Sequence, residues 1–458
     1  MPDTLRILHT NDLHSHFENW PKVSRFLKQK QKKRVNEAVL TVDLGDFLDR
    51  WHPLTEATDG QANIELMNTI GYDAVTIGNN EGIGNSRAVL DHLYDDANFP
   101  VVLANLVDLN TQTRPGWVKP FLIVPTEIGI KVGIIGLTAP FPLTYNPNNW
   151  DVKDPIAILN EVVPDVQKEA DYIILLSHLG INADDQIAAE FPQINLILGS
   201  HTHHLFKEGK KINTTQLAAA GKFGYYVGEV TVTFENNQIH KSVAKTFLTE
   251  SLPEEPKDTA QINSWLEQGT HLLQQVPLAV LPFDLPVVST TGPSLSEYAL
   301  NAMALRGNTT ISLVNTGLFL DGLPKGMVTT ADLHQLLPHP MRLIKVRLNG
   351  SDLLRLVGEI ERNRLFLKHY PIKGMGFRGK IFGEIIYYGL RYDSDTRQVF
   401  VGEELVDPTQ DYELTTVDHL MFIPFFPTIE LAGITTFLFP EFLRTIVGQG
   451  LAQAFPIE

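Results

Sequence analysis

The chain has 458 residues, 43% of them hydrophobic and 20% charged, which fits a globular protein of two or three domains and excludes disordered or collagen-like chains. It has no cysteine, so disulfides, thiolate metal sites and a cysteine nucleophile are excluded as well. Lysine and arginine number 37 against 53 acidic residues, and the net charge of -16 argues against binding a nucleic-acid backbone.

Five apolar runs in the first half of the chain end in residue types that ligate metals. They are LRILHTNDLHSH (5–16), AVLTVDLGD (38–46), DAVTIGNNE (73–81), YIILLSHLG (172–180) and INLILGSHTHH (194–204). Continuous β-branched runs predict strands buried on both faces. Between them, VSRFLKQKQKKR (23–34), IELMNTIGY (64–72) and IAILNEVVPDVQKEA (156–170) have helical spacing, and the basic run at 28–34 reads as a solvated helix face. The expected fold class is α/β, with a layered catalytic domain over residues 1–250 whose strand ends open onto a common crevice. Residues 251–276 read as a polar, proline-bearing linker followed by a connecting helix. Residues 277–458 predict a smaller C-terminal α/β (α+β) domain: SLSEYALNAMALRG is helical and TTISLVNTG strand-like. No stretch reaches ~20 unbroken apolar residues and no basic-then-apolar leader is visible, so the expectation is a cytoplasmic protein without membrane association.

The polar ends of the five runs carry the chemistry. In an extended segment alternate residues point the same way, so Asp12-Leu13-His14 is expected to place a carboxylate and an imidazole on one side. Gly45-Asp46 follows a strand, where glycine permits a sharp turn that exposes the carboxylate. Gly78-Asn79, His178, His201 and His203 complete the set. Two carboxylates, an amide oxygen and four imidazoles suit Mn, Fe, Co or Zn better than Mg or Ca. That number of donors is right for two divalent ions ~3.5–4 Å apart with one bridging carboxylate. Asp and Asn also favour turns and helix caps, which would account for any single member. Five elements at successive strand ends point instead to a dimetal site.

In the same order, ILHTNDLHSH, LGDFLDR, GNNE, SHLG and GSHTHH resemble the five blocks of the calcineurin-like metallophosphoesterases, in particular the two-domain 5'-nucleotidase/UDP-sugar hydrolase group. SEYALNAM, ISLVNTG and LPHPMRLIKVRLNG are similar, more loosely, to that group's C-terminal blocks. The resemblance implies Asp12, His14 and His203 on one metal, Asn79, His178 and His201 on the other, and Asp46 bridging both. It implies a hydrolase of nucleotides or nucleotide-like phosphoesters and anhydrides that uses a metal-bridging hydroxide. The partner would be a small phosphorylated substrate, chosen by the second domain across an interdomain cleft, and no protein partner is implied. The alternatives are a non-catalytic, metal-bound nucleotide sensor and a hydrolase of a non-nucleotide phosphate or a sulfur ester.

The chain departs from that family at its third block. Asn80 stands where the family carries its catalytic histidine, and Ile83 where an aspartate orients that histidine. The catalytic candidates here are Asp46 and Asn80. An amide can donate a hydrogen bond to a phosphoryl oxygen but cannot lend a proton to a leaving alkoxide. General acid catalysis is worth ~100- to 10,000-fold, and its loss matters least when the leaving group is a phosphate. Phosphoanhydrides are therefore expected to be preferred over nucleoside monophosphates. His16 and His204 flank ligands and read either as substrate contacts or replacement acids, or as supporting imidazoles; His9, inside a strand, reads as a core residue. In the second domain Asn315-Thr316-Gly317 continues as Leu318-Phe319-Leu320, without the substrate-binding arginine of the family. KHYPIKGMGFRGK (368–380) offers Lys368, Lys373, Arg378 and Lys380, with Phe377 between glycines, as a phosphate cradle with a stacking ring or as a solvated loop. Asn315, Phe377 and Arg378 are the candidate substrate-binding residues.

Overall fold

The apolar runs of the first half become the inner strands of two facing sheets. The computed structural model describes residues 3–372 and 379–457, and the chain divides into two units, Met1–Gly269 and Thr270–Glu458. The first unit contains β1 (Asp3–Thr10), β2 (Glu37–Asp43), β3 (Ala74–Val75), β4 (Val101–Val102), β5 (Val118–Lys119), β6 (Phe121–Pro125) and β7 (Lys131–Thr138). It continues with β8 (Tyr172–His178), β9 (Leu196–Gly199), β10 (Lys210–Ile212), β11 (Thr215–Ala218), β12 (Tyr226–Glu235) and β13 (Gln238–Leu248). One sheet has the order β13-β12-β1-β2-β3-β4-β5 and the other β10-β11-β9-β8-β7-β6. β1, β2 and β3 run parallel, as do β7, β8 and β9. On its other side β1 pairs antiparallel with β12, Asp3 opposite Phe234.

β8 shows why the runs lack polar alternation. Ile174 and Leu176 enter the core between the sheets, beside Leu5, Ile7 and Leu40. Ile173 and Leu175 enter the opposite layer, where the helices Pro155–Gln167 and Ile181–Glu190 cover the second sheet. With both faces buried, the run from Tyr172 to Leu176 shows no polar alternation.

The α/β class is as expected, and the first helix both starts and ends earlier than expected. The expected helix at 23–34 is Trp20–Lys30, so the basic run is divided: Lys28 and Lys30 lie in the last turn, and Lys32 onward lies beyond it. The stop is a tertiary effect, because Arg6 of β1 donates from Nη2 to the Lys30 carbonyl (2.8 Å) while its Nε binds Glu37 (2.6 Å). The helix Pro155–Gln167 starts on Asp154, whose carboxylate accepts from the Ala157 amide at 2.8 Å. The helix Asp258–Gln274 begins in the first unit, where Arg25 holds Asp258 through two bonds of 2.6 and 2.7 Å.

The second unit is built on β14 (Ile311–Asn315), β15 (Arg342–Asn349), β16 (Ile385–Tyr388), β17 (Asp411–Val417) and β18 (Ile434–Phe442), in the order β16-β14-β17-β15-β18. The helices Leu295–Gly307 and Gly350–Leu367 contribute to its core, and a reciprocal Ser294–Glu297 cap opens the first of them. Among the described residues no helix is long and apolar enough to cross a membrane.

At Gly136 of β7 the two sheets of the first unit approach closely. A Cβ there would lie 1.9 Å from the Val102 carbonyl oxygen of β4, and the neighbouring Ala104 amide donates to the Gly136 carbonyl at 2.8 Å. Gly136→Ala should lower stability by about 1–3 kcal/mol through overpacking, measured from the urea midpoint. An unchanged midpoint would show that the sheets can part without cost.

Candidate metal centre

The loops that leave β1 and β2 are fastened to each other by their backbones. Leu44 N donates to Thr10 O (3.0 Å), Asp12 N to Gly45 O (3.1 Å), His14 N to Asp46 O (2.8 Å) and Ser15 N to Phe47 O (2.9 Å). This arrangement corrects the extended geometry expected for Asp12-Leu13-His14. β1 ends at Thr10, and Asp12, His14 and Asp46 have φ of 50°, 49° and 52°. His201 (69°) and His203 (55°) share that left-handed conformation. Non-glycine residues adopt it at a cost, and such residues cluster where the surrounding structure holds a site in place.

Two glycines make room for Asp46. A Cβ on Gly45 (φ 86°) would lie 2.2 Å from the Gly78 amide nitrogen, and one on Gly78 would overlap Asp46 Oδ1 at 2.1 Å. The buried carboxylate of Glu81 gathers three amides, from Gly78 (2.8 Å), Asp46 (2.9 Å) and Leu48 (3.1 Å). Asn80 donates to Asp46 twice, from its backbone N to Oδ1 (2.7 Å) and from Nδ2 to Oδ2 (2.8 Å).

The side chains converge in two groups, Asp12 with His14 and His203, and Asp46 with His178 and His201. In the first, His14 Nε2 is 3.1 Å from His203 Nε2 and 3.9 Å from Asp12 Oδ1, which is 3.6 Å from His203 Nε2. In the second, His178 Nε2 is 3.3 Å from Asp46 Oδ2, and Asn79 Oδ1 joins through His201 Nδ1 at 2.9 Å. Donors about 2.0–2.2 Å from a common ion lie roughly 3–4 Å apart, so these separations fit metal coordination. His178 Nδ1 is 2.8 Å from the Leu44 carbonyl and 2.9 Å from Ser200 Oγ. Those contacts turn Nε2 inward, where it is buried without a hydrogen bond of good geometry. Asp49, 3.5 Å from His14 Nδ1, stands behind that ring in the same way. An orphaned inward nitrogen within a carboxylate–imidazole set is what a divalent cation would satisfy.

The electrostatics have one pattern. Burial disfavours the Asp46 charge, yet the imidazoles of His178 and His14 hold its carboxyl well below the usual range. Burial works against His178 too, but Asp46 overrides it and raises the ring to about 10. His14 is likewise raised by its three carboxylates against burial. Burial raises Asp12 to about 6 despite the opposing pull of His178 and His14. Burial, with nearby cations, lowers His201 to about 4 and His203 to about 3, which keeps both rings neutral at pH 7 as metal ligands require.

Residues 5–205 match the calcineurin-like phosphoesterase family and residues 285–422 the 5'-nucleotidase C-terminal domain. The uncharacterized metallophosphoesterase YunD of Bacillus subtilis (strain 168) is 36% identical across 99% of this chain and 100% of its own length. The chain belongs to the calcineurin-like phosphoesterases. As a member of that family it is a phosphoester hydrolase, and the family's divalent metals have two candidate donor groups here. The 5'-nucleotidase of Bos taurus is 28% identical over 58% of this chain and 53% of the relative. The 5'-nucleotidase precursor from Thermus thermophilus shares the fold, with a TM-score of 0.60 and 22% identity over 99% of this chain and 97% of that one.

The other expected residues fall elsewhere. Asn315 is fully buried, and its Nδ2 donates to the Phe382 carbonyl at 2.9 Å. Among the described residues its Oδ1 is buried without a hydrogen-bond partner. Phe377 and Arg378 lie outside the described residues. His16 Nδ1 meets Glu18 at 2.6 Å, and His204 Nδ1 meets Thr202 at 3.0 Å. His9 is a core residue, buried and lowered to about 4. Sequence pattern assigns no role to Glu81, Asp49, Asn11 or Ser200, although all four sit inside the quoted motifs. Asn11 donates to Asp12 (2.8 Å) and to the Gly221 carbonyl (2.7 Å), a contact no local pattern announces. Glu81→Gln keeps one acceptor oxygen but turns an NH2 toward at least one of the three backbone donors, and should weaken Mn2+ binding about 10- to 100-fold by calorimetry. Unchanged affinity would show that the loops hold Asp46 without it.

Proposed function

We propose that this phosphoesterase hydrolyses nucleotide phosphoanhydrides, and nucleotide monoesters more slowly, at a two-metal centre. Asp12, His14 and His203 would hold one ion, Asn79, His178 and His201 the other, with Asp46 shared. One observation carries the reading: Asp46 Oδ2 stands 3.7 Å from His14 Nε2 and 3.3 Å from His178 Nε2, within reach of both donor groups. Divalent ions bound there supply Lewis acidity and a nucleophilic water at neutral pH. The chain's own residues tune that chemistry. Asp12 and Asp46 bring negative charge to the ions, and Asp49, Leu44 and Ser200 orient the imidazoles. Asn80 is an amide beside Asp46 and has no proton to lend to a departing oxygen. A departing phosphate needs none, which is why the anhydride is favoured. The matched 5'-nucleotidase C-terminal segment and the bovine relative support a nucleotide substrate.

Turnover of UDP-glucose and AMP on Mn-loaded protein tests this. UDP-glucose should be preferred, and both activities should vanish with a chelator and in Asp46→Ala. Asn80→His should raise AMP turnover by about tenfold or more, part of the contribution of a general acid. Nucleotide binding without metal-dependent turnover would favour the sensor reading, and equal rates on the two substrates would overturn the argument from Asn80.

A further inference from the structure

The centre carries Asn80 where the family has its acid, and the phosphoesters proposed as its substrates are anionic. Lys222 stands beside the Asp12–His14–His203 group. Lys222 Nζ lies 4.5 Å from the centre of the Phe223 ring. That ring is 5.7 Å from the His14 ring and 6.2 Å from the His203 ring, the two imidazoles of one donor group. His16 stacks against Phe223 at 3.8 Å with a 32° tilt.

The segment carrying Lys222 is held tightly. The Phe223 amide donates to the Asp12 carbonyl (2.7 Å), Asn11 Nδ2 to the Gly221 carbonyl (2.7 Å) and Asn19 Nδ2 to the Phe223 carbonyl (2.8 Å). Gly221, Phe223 and Gly224 are all left-handed, with φ of 75°, 60° and 66°. For an aromatic residue that conformation is costly, and it persists here because the loop of Asp12 fixes it from three sides. Lys222 is half-buried, and among the described residues its ammonium forms no ion pair. A charge lying over a ring face is held by the ring's negative quadrupole and stays free to meet an anion.

We propose that Lys222 is a substrate-binding residue whose ammonium contacts non-bridging phosphoryl oxygens on the Asp12–His14–His203 side of the centre. It acts as a fixed positive charge, the way lysine commonly meets phosphate. The inference rests on the phosphohydrolase reading and adds a cation that the family motifs do not assign.

The test compares wild type, Lys222→Met and Lys222→Arg, all Mn-loaded, with Asp46→Ala as control. Two quantities are read: calorimetric affinity for inorganic phosphate, and kcat/KM on UDP-glucose. Lys222→Met should weaken phosphate binding and lower kcat/KM, each about 10- to 100-fold, the scale of one charge-assisted hydrogen bond. Its Mn2+ affinity and melting temperature should stay at wild-type values, and Lys222→Arg should recover most of the loss. Wild-type phosphate affinity and kcat/KM in Lys222→Met would overturn the assignment. If the wild type turned over no phosphoester, the functional reading would fail by itself; phosphate affinity lost in Lys222→Met and regained in Lys222→Arg would still support the cation site.

Discussion

Asp46 keeps its charge where water does not reach it, and most of the first unit's site depends on that. A buried carboxylate left alone would take up a proton. Here two donors from Asn80 and the imidazoles of His178 and His14 favour the ionised form. Its backbone is held by Glu81, and the glycines on either side cannot carry a side chain without striking it or its support. Segments around residues 46, 80 and 178 therefore have to arrive together before any one of them is in place.

The left-handed ligands add a second constraint of the same kind. Five of the seven proposed donors have positive φ, and all five are Asp or His. Those residue types tolerate the conformation better than most, and they are also the ones that bind metals. Coordination chemistry and backbone preference select the same residues, which leaves few substitutions open at these positions.

These constraints also separate what is legible in the sequence from what is not. The α/β class and the five strand ends are legible because strands buried on both faces leave uninterrupted apolar runs, and ligand types at their ends interrupt those runs. The geometry of Asp12 and His14 is not, because it depends on amide bonds to Gly45 and Asp46, more than thirty residues away in sequence. The end of the first helix is hidden for a similar reason: Arg6 closes it, and no glycine or proline marks the place. Asn315 reads as a site residue because asparagine after a strand suits a loop or a ligand equally well, and its bond to the Phe382 carbonyl, far along the chain, has no local signature. Lys222 carries no signal at all, since its importance lies in what Asp12, Asn11 and Asn19 do to the segment around it.

The position of β1 has a consequence for how the protein is made. It lies between β2, a near neighbour in sequence, and β12, formed by Tyr226–Glu235. During synthesis β1 can pair with β2 early and keeps its other edge open until those residues emerge. Leu5 and Ile7, which finish in the core between the sheets, wait with it. An apolar strand with one bare edge is prone to pair with other chains, so the nascent first unit is most vulnerable to aggregation in the interval before β12 appears.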